Sequence, residues 1–123
     1  MKKVVHKIIR QENSEYIFRE FKGELVVEDI MDSFVYILNE KMIRPGCRGI
    51  LTDLREADLN FDMTSFRNLL IYIKNSPGLD GLKIAVVVDS AAKIVFPMMA
   101  SNEPGLMIQP FSTMESAIKW INQ

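Results

Sequence analysis

In the stretch Gly49-Ile50-Leu51-Thr52-Asp53-Leu54-Arg55, an apolar run ends abruptly in charge, which predicts a buried strand followed by a loop that carries Asp53 and Arg55. Two later runs, Leu82 to Val88 and Leu106 to Phe111, end in the polar pairs Asp89-Ser90 and Ser112-Thr113. Continuous apolar runs of this length, bounded by turn signals, are typical of strands that are covered on both faces. Segments of helical periodicity separate the three runs, so together they predict a parallel sheet with helical crossovers.

Length and composition fit one domain over residues 1–123. Hydrophobic residues make up 48% of the chain and charged residues 25%, which is an ordinary globular balance. The formal net charge of −1 argues against a generally basic nucleic-acid binder. The single cysteine, Cys47, excludes an internal disulfide and favours a reducing compartment, so we expect a cytoplasmic protein. No window approaches the roughly 20 apolar residues of a membrane span.

The chain opens with a predicted antiparallel hairpin. Val4 to Gln11 and Tyr16 to Phe21 are rich in β-branched and aromatic residues, a polar turn joins them, and Lys22-Gly23 is expected to close the hairpin. His6 lies in the first strand. With no second histidine and no nearby cysteine, a metal site there is poorly supported, and we interpret His6 as a residue of the strand surface.

Apolar residues then recur at helical spacing from Val27 to Met42, and Pro45-Gly46 is expected to end that first helix. Asp62 is a suitable N-cap for a second helix. Asp89-Ser90 can cap a third helix beginning at Ala91. Pro97 should make that helix short or kinked, because proline removes a backbone donor.

Two features near the C-terminus complete the predicted fold. Pro110 indicates that the last apolar run forms a strand at or near an edge of the sheet. Ser112-Thr113-Met114-Glu115 matches a capping box and opens a final helix.

Polar side chains follow the predicted parallel strands, where open α/β sheets bind ligands. The candidates at this rim are Asp53, Arg55, Asp89, Ser90 and Ser112. Asp53 and Arg55 could bind or polarise a small polar ligand or contact a partner. The alternative is structural: Asp89 or Ser90 caps a helix, Asp53 accepts backbone hydrogen bonds, and Arg55 pairs with Asp53 or Asp58. Capping and pairing already account for these residue types, so we favour the structural interpretation.

The third helix offers a second candidate site. Phe96 and Met99, with Ile94, Val95 and Met98, could line a pocket for a small apolar ligand or lipid beside Pro97. The alternative is that they cover the sheet, since methionine and phenylalanine are ordinary core residues. An enclosed pocket of several hundred cubic ångströms would favour ligand binding.

No catalytic signature is present. The chain has neither a G-x-S-x-G elbow nor a phosphate-binding glycine loop. Cys47 has no evident activating base, since His6 is distant in sequence. We therefore expect no catalytic residue, no metal and no cofactor.

The stretches Leu51-Thr52-Asp53-Leu54-Arg55, Lys83 to Ser90 and Phe111 to Ile121 resemble those of SpoIIAA-like (STAS-like) domains. The resemblance covers essentially the whole chain. It implies an α/β fold with an N-terminal β-hairpin followed by βαβαβα units, in which a mixed sheet carries helices mainly on one side. Related folds include anti-sigma-factor antagonists and CRAL-TRIO lipid-binding domains.

One departure from this resemblance concerns regulation. In the antagonists, the second helix opens with an Asp-Ser pair whose serine a partner kinase phosphorylates. The matching pair here is Asp62-Met63, followed by Thr64 and Ser65. The expected function is therefore a non-enzymatic module in a bacterial cytoplasm that acts through a protein partner and lacks the usual phosphorylated serine. The alternative is a small-molecule or lipid-binding domain, and a homodimer is left open.

Overall fold

The computed structural model describes residues 2–123, which form five strands and four helices. In chain order these are β1 (Lys3–Gln11), β2 (Ser14–Leu25), α1 (Val27–Asn39), β3 (Cys47–Leu59), α2 (Met63–Asn75), β4 (Lys83–Val87), α3 (Ala91–Ser101), β5 (Met107–Phe111) and α4 (Met114–Ile121).

The strands form one sheet in the order β1-β2-β3-β4-β5, the same as their order along the chain. β1 pairs antiparallel with β2, and β2 to β5 are parallel to one another. The predicted hairpin and the predicted parallel runs near Gly49, Leu82 and Leu106 are therefore confirmed. β5 lies at an edge, as Pro110 indicated.

The sheet buries apolar side chains on both faces. Helices α1, α2 and α3, each connecting neighbouring parallel strands, cover one face, where Ile17, Ile50 and Ile84 belong to the larger core. Right-handed crossovers between successive parallel strands place such helices on the same side. α4 covers the other face, where Ala117 and Ile121 pack with Leu51 in a smaller core. The helices thus lie mainly on one side, as expected.

Two strands extend further than their sequences predict. β2 does not end at Lys22-Gly23, because residues 22–25 pair with residues 56–59 of β3. The loop expected to carry Asp53 and Arg55 is instead part of β3, which continues through the polar segment after Arg55 to Leu59. Its partner lies in a different part of the chain, so local composition could not reveal the pairing.

One helix also differs from expectation, and for another the structure excludes one of the two expected alternatives, a short or a kinked helix. α1 ends at Asn39 and not at Pro45-Gly46, since Lys41 adopts a left-handed conformation with φ of 52°. α3 is not short, because it continues through Pro97 to Ser101. Pro97 is buried within it.

The helix starts agree with expectation to within one residue. Asp62 caps α2 and accepts a hydrogen bond from the Ser65 backbone N–H at 2.8 Å. The N-cap of α4 is Thr113, one residue beyond the expected Ser112, and its hydroxyl accepts from the Ser116 N–H. No helix within residues 2–123 is long and apolar enough to span a membrane.

Candidate functional site

The candidate residues at the strand ends form a compact ion-pair cluster. Asp53, the last residue of β3 to pair with β4, is buried, and its carboxylate binds Arg55. Oδ1 accepts from the Arg55 backbone N–H and from Nε, each at 3.0 Å, and Oδ2 accepts from Nη2 at 3.0 Å. This carboxylate raises the pKa of Arg55. Both carboxylate oxygens therefore already have donors within the chain.

Lys93 of α3 joins Asp89 to this cluster. Its Nζ donates to the Asp89 carboxylate at 2.9 Å and to the backbone carbonyl of Arg55 at 2.7 Å. The hydrogen bond from Lys93 lowers the pKa of Asp89. Sequence reasoning overlooked Lys93, although its position four residues after Asp89 on a helix start could have suggested the pair.

Ser90 occupies the N-cap of α3, but its hydroxyl makes no capping hydrogen bond. Ser112 is exposed in the turn before α4, and the hydrogen bonds of the Asp53 carboxylate within residues 2–123 come from Arg55 and not from Ser112. The structure thus brings Asp53, Arg55 and Asp89 together, and Ser90 directly follows Asp89 in the chain.

A second cluster, which sequence reasoning did not single out, surrounds Arg19 in the middle of β2. Only 2% of Arg19 is exposed. Its Nε donates to Thr52 Oγ1 at 2.7 Å, and its Nη1 donates to Ser33 Oγ at 3.2 Å. The guanidinium carbon lies 4.0 Å from the ring centroid of Phe34 and 5.5 Å from that of Phe21. We call Arg19, Ser33, Thr52 and His6 the arginine network.

The guanidinium has neutral neighbours only. Among residues 2–123, no carboxylate oxygen lies within ion-pair distance of Arg19, so its contacts are two hydroxyls and two aromatic rings. Burial lowers the pKa of Arg19 to about 9, which still leaves it charged at neutral pH. A buried charge without a counter-charge is costly, because desolvation of the ion is not offset by Coulomb attraction.

His6 completes the arginine network from β1. It pairs with Arg19 across the hairpin, and its Nε2 lies 2.7 Å from Ser33 Oγ. Burial, and then the charge of Arg19, lower the pKa of His6. Since a guanidinium can only donate, Ser33 Oγ accepts from Arg19 and its own proton is free for a neutral His6. His6 is thus half-buried and bonded, unlike the surface residue we expected.

Two concavities flank the arginine network. An open groove of about 510 Å³ runs between β1 and α1, and its lining includes His6 and Ser33. On the other side, a small cavity of about 60 Å³ lies between the sheet and helices α1 to α3. Arg19 and Thr52 line this cavity, and apolar side chains form the rest of its wall. We call it the central cavity.

Phe96 and Met99 of α3 pack into the larger core. The Phe96 ring lies 4.9 Å from the Phe66 ring and 5.2 Å from the Phe61 ring, centroid to centroid. Phe96 also lines the central cavity, whereas Met99 is partly buried against the core. The volume of the central cavity beside Phe96, about 60 Å³, is far below the roughly 300 Å³ of a typical ligand pocket. Phe96 and Met99 therefore mainly cover the sheet.

The remaining reactive side chain is Cys47. It is half-buried, its thiol donates to the Gly49 carbonyl at 3.6 Å, and burial raises its pKa. A raised pKa keeps the thiol in its unreactive form at neutral pH. The described part of the chain contains no group of three or more His, Cys, Asp or Glu residues placed to hold a metal ion.

A sequence signal for Arg19 did exist. In strands, alternate residues face the same side. Arg19 stands two residues from both Ile17 and Phe21, which are buried, so the alternation placed a charge on the inward face. Ser33 and Thr52 could not be found in this way, because they are ordinary polar residues until the fold brings them to the guanidinium.

Comparison with known structures defines the fold. The chain is similar to the crystal structure of an uncharacterised protein of the DUF3478 family, with a SpoIIAA-like fold, from Shewanella loihica PV-4. The match has a TM-score of 0.67, covers 98% of this chain and 95% of that one, and has 18% sequence identity. The chain has a SpoIIAA-like fold. No protein-family model matches it, and no curated protein is significantly similar. At this sequence identity the similarity supports the fold alone, so the function has to be argued from the chemistry of the candidate sites.

Proposed function

We propose that this SpoIIAA-like domain is a non-enzymatic regulatory module that binds an apolar segment of a protein partner in the cytoplasm of a bacterium. The observation that supports this is an open groove of about 640 Å³ at the β5 edge of the sheet, formed by α3, β5 and Trp120 of α4. Ile94 and Met98 of α3 and Met107 of β5 line it, and all three are exposed. We call it the β5 groove.

The side chains of the β5 groove suit a protein ligand. The groove combines exposed apolar residues with the polar residues Ser101 and Gln109, and exposed apolar surface with a polar rim is typical of interaction sites. Methionine side chains are flexible and polarisable, so Met98 and Met107 can adapt to the side chains of a partner. The groove is open to solvent and does not enclose its contents, which fits a segment of another chain better than a small molecule.

The two edges of the sheet differ in a way that supports the same proposal. β1 carries the exposed basic residues Lys3, Lys7 and Arg10, and such charges discourage pairing with another strand. β5, with the sequence MIQPF, has no charged residue, and one of its sides has no partner strand within residues 2–123. An extended partner segment can pair with that side up to Pro110, which lacks an N–H.

The experiment uses a photo-crosslinking residue placed at Met98, at Met107 and, as a control, at Val4. Val4 is also an exposed apolar residue, but it lies on β1 at the opposite edge of the sheet. In cells of the source organism, we expect the same protein to crosslink from positions 98 and 107 and not from position 4. The crosslinked partner is then purified and its affinity for the domain is measured.

Charge-introducing variants make the test specific. Met98→Lys should weaken binding of the purified partner, because a lysine at the centre of an apolar contact loses its hydration. The matched variant Val4→Lys should leave the affinity unchanged. Crosslinking that is equally strong from Val4, affinity that survives Met98→Lys, or no adduct from either groove position would each overturn the proposal.

A second candidate function is the binding of a small ligand inside the domain. The size of the central cavity argues against a long-chain lipid, since about 60 Å³ is far smaller than typical lipid and drug sites. The accessible wall of this cavity is apolar, which favours a small apolar ligand.

A further inference from the structure

The backbone of β5 directs only some of its hydrogen-bonding groups to the open edge of the sheet. The N–H of Val88 donates to the C=O of Phe111 at 3.0 Å, so Phe111 directs its backbone groups toward β4. Successive residues of a strand direct these groups alternately to its two sides. Met107 and Gln109 therefore also face β4, whereas Ile108 and Pro110 face the open edge. The missing N–H of Pro110 lies on the open side, where it costs the sheet no hydrogen bond.

Ile108 offers both an N–H and a C=O at this edge, and Pro110 adds a C=O. Within residues 2–123, neither a further strand nor a backbone group of a turn or loop pairs with them. Ile108 also lines the β5 groove, so a segment that lies in the groove can reach these groups. They suit an extended strand, which has free backbone groups of its own, because the N–H and C=O groups of a helix are already paired with each other.

The β5 groove extends around the edge of the sheet and has a wall on each face. Ile94 and Met98 stand on the face that α3 covers together with the larger core. Trp120 of α4 stands on the opposite face, where its ring centroid lies 5.6 Å from that of Phe111. Met107 is on the same face as Phe111, because residues an even number of positions apart in a strand point to the same side. Both walls of the groove are thus mainly apolar.

These two walls restrict the sequence of a bound strand. A strand beside β5 directs its side chains alternately to the two faces, so successive residues meet the α3 wall and the α4 wall in turn. Among residues 2–123, no charged side chain lines the groove. A polar group buried against either wall without a hydrogen bond would cost free energy. The groove therefore favours apolar side chains at consecutive positions, unlike the alternating pattern of a strand with one face in water.

A second copy of this chain fits the edge less well than an isolated segment. Pairing of two β5 strands would bring them to about 4.8 Å from each other, whereas packed helices need roughly 8–10 Å between their axes. Ile94 and Met98 of α3 already project into the groove beyond β5. The α3 helices of two copies would therefore compete for the space over the joined strands.

We propose that the partner of this domain supplies an extended strand with apolar side chains at consecutive positions, which adds to the open edge of β5 by pairing with Ile108. This inference rests on the proposed function, and it specifies the chemistry of the segment that the β5 groove binds.

The test measures the binding of synthetic peptides to the full chain. The probe has the core VVVVV between pairs of lysines that keep it soluble. The matched control has the core VTVTV, because threonine has nearly the shape of valine and makes one face of the strand polar. ¹H–¹⁵N spectra follow the titrations, and hydrogen exchange of the Ile108 amide is measured with and without peptide. We expect the valine peptide to bind saturably and to slow exchange at Ile108, and the control to bind at least about tenfold more weakly.

Variants locate the peptide on both faces and at the edge. Met98→Gln and Met107→Gln each make one wall more polar at similar side-chain length, and each should weaken binding of the valine peptide severalfold. Val4→Thr, at an exposed position of β1, should leave it unchanged. Replacing the Ile108 amide by an ester removes its N–H alone, and this N–H faces away from β4. The ester should weaken binding about two- to tenfold, as the loss of one hydrogen bond does.

Three results with the peptides would overturn the inference: equal affinity of the two peptides, unchanged exchange at Ile108 in the saturated complex, or no saturable binding of the valine peptide. A dimer of the chain alone, detected by analytical ultracentrifugation and abolished by the Ile108 ester, would show that a second copy occupies the edge and would overturn it as well.

The crosslinking experiment in cells separates this inference from the proposed function. A partner that crosslinks from positions 98 and 107 through a helical segment would uphold the proposed function and contradict the inference. Binding of the valine peptide with protection of Ile108, but without any crosslinked partner, would contradict the proposed function and uphold the chemistry of the edge.

Discussion

The Asp53 carboxylate accepts three hydrogen bonds from Arg55, one from its backbone N–H and two from its guanidinium, each 3.0 Å long. Only 5% of the Asp53 side chain is exposed, against 42% of the Arg55 side chain. The carboxylate is thus the buried member of the pair and the guanidinium is the solvated one. This asymmetry makes the two residues unequal in their contribution to stability.

We expect Asp53→Ala to lower the free energy of unfolding by about 1–3 kcal/mol, because it removes a buried carboxylate together with the hydrogen bonds that it accepts. Arg55→Ala should cost only about 0–1 kcal/mol, as exposed ion pairs do. Urea denaturation of both variants measures this, with Asp58→Ala as an exposed acidic control on the same strand. An unchanged or raised melting temperature for Asp53→Ala would instead mark a functional site, where residues are often poor for folding.

The arginine network predicts that two other variants differ in their effect on stability. Thr52→Val removes the acceptor of Arg19 Nε and leaves a buried donor unpaired, so it should destabilise the fold by about 1–3 kcal/mol. Arg19→Met removes the buried charge itself. Replacing a buried charge by an apolar side chain of similar size is often neutral or stabilising, so its melting temperature should equal or exceed that of the unmodified chain. The reverse order would show that the arginine network is a net source of stability.

His6 predicts a pH dependence of stability. Its pKa in the folded state lies below the 6.5 of an unperturbed histidine, so the unfolded chain takes up a proton first as the pH falls. The contribution of His6 is therefore complete above 6.5 and is lost as the pH falls from there through the folded-state pKa. Denaturation midpoints across this window measure the slope, and His6→Asn should reduce it. An identical slope in His6→Asn would assign the effect to other groups.

Met63 begins α2 and is exposed. The resemblance to the antagonists implies that it stands where they carry the phosphorylated serine, and methionine has no hydroxyl. The adjacent Thr64 and Ser65 lie beside the Asp62 carboxylate, which caps the helix and would repel a phosphate group. We expect mass spectrometry of protein isolated from its source cells to find no stoichiometric phosphate on residues 62–65. Phosphate on Thr64 or Ser65, with altered partner binding, would contradict this.

Apolar runs and turn residues predicted the sheet, the hairpin and the helix starts, because burial on both faces and capping are local in sequence. The ends of β2 and β3 were less predictable. Residues 22–25 and 56–59 are held by pairing with each other, and neither segment indicates that pairing by itself.

The candidate sites show the same division. The contact of Asp53 with Arg55 could be anticipated, since two residues of one strand separated by a single residue share a face. The arginine network combines β1, β2, α1 and β3, and no spacing within one segment encodes it. Arg19 alone gave a signal, as a charge in an inward position. That the guanidinium has no counter-charge can be recognised only from the folded structure, because its neighbours come from different elements.

The identity of strand order and chain order has a consequence for synthesis of the protein. Each strand pairs with the one made just before it, so the sheet can grow from its N-terminal edge while the ribosome is still translating the rest. No strand must wait for a partner that has not yet been made. β5 joins last, and the edge that we propose as the docking surface therefore comes into existence only when the rest of the sheet is complete. A partner that binds this edge would therefore bind fully synthesised molecules and not nascent chains.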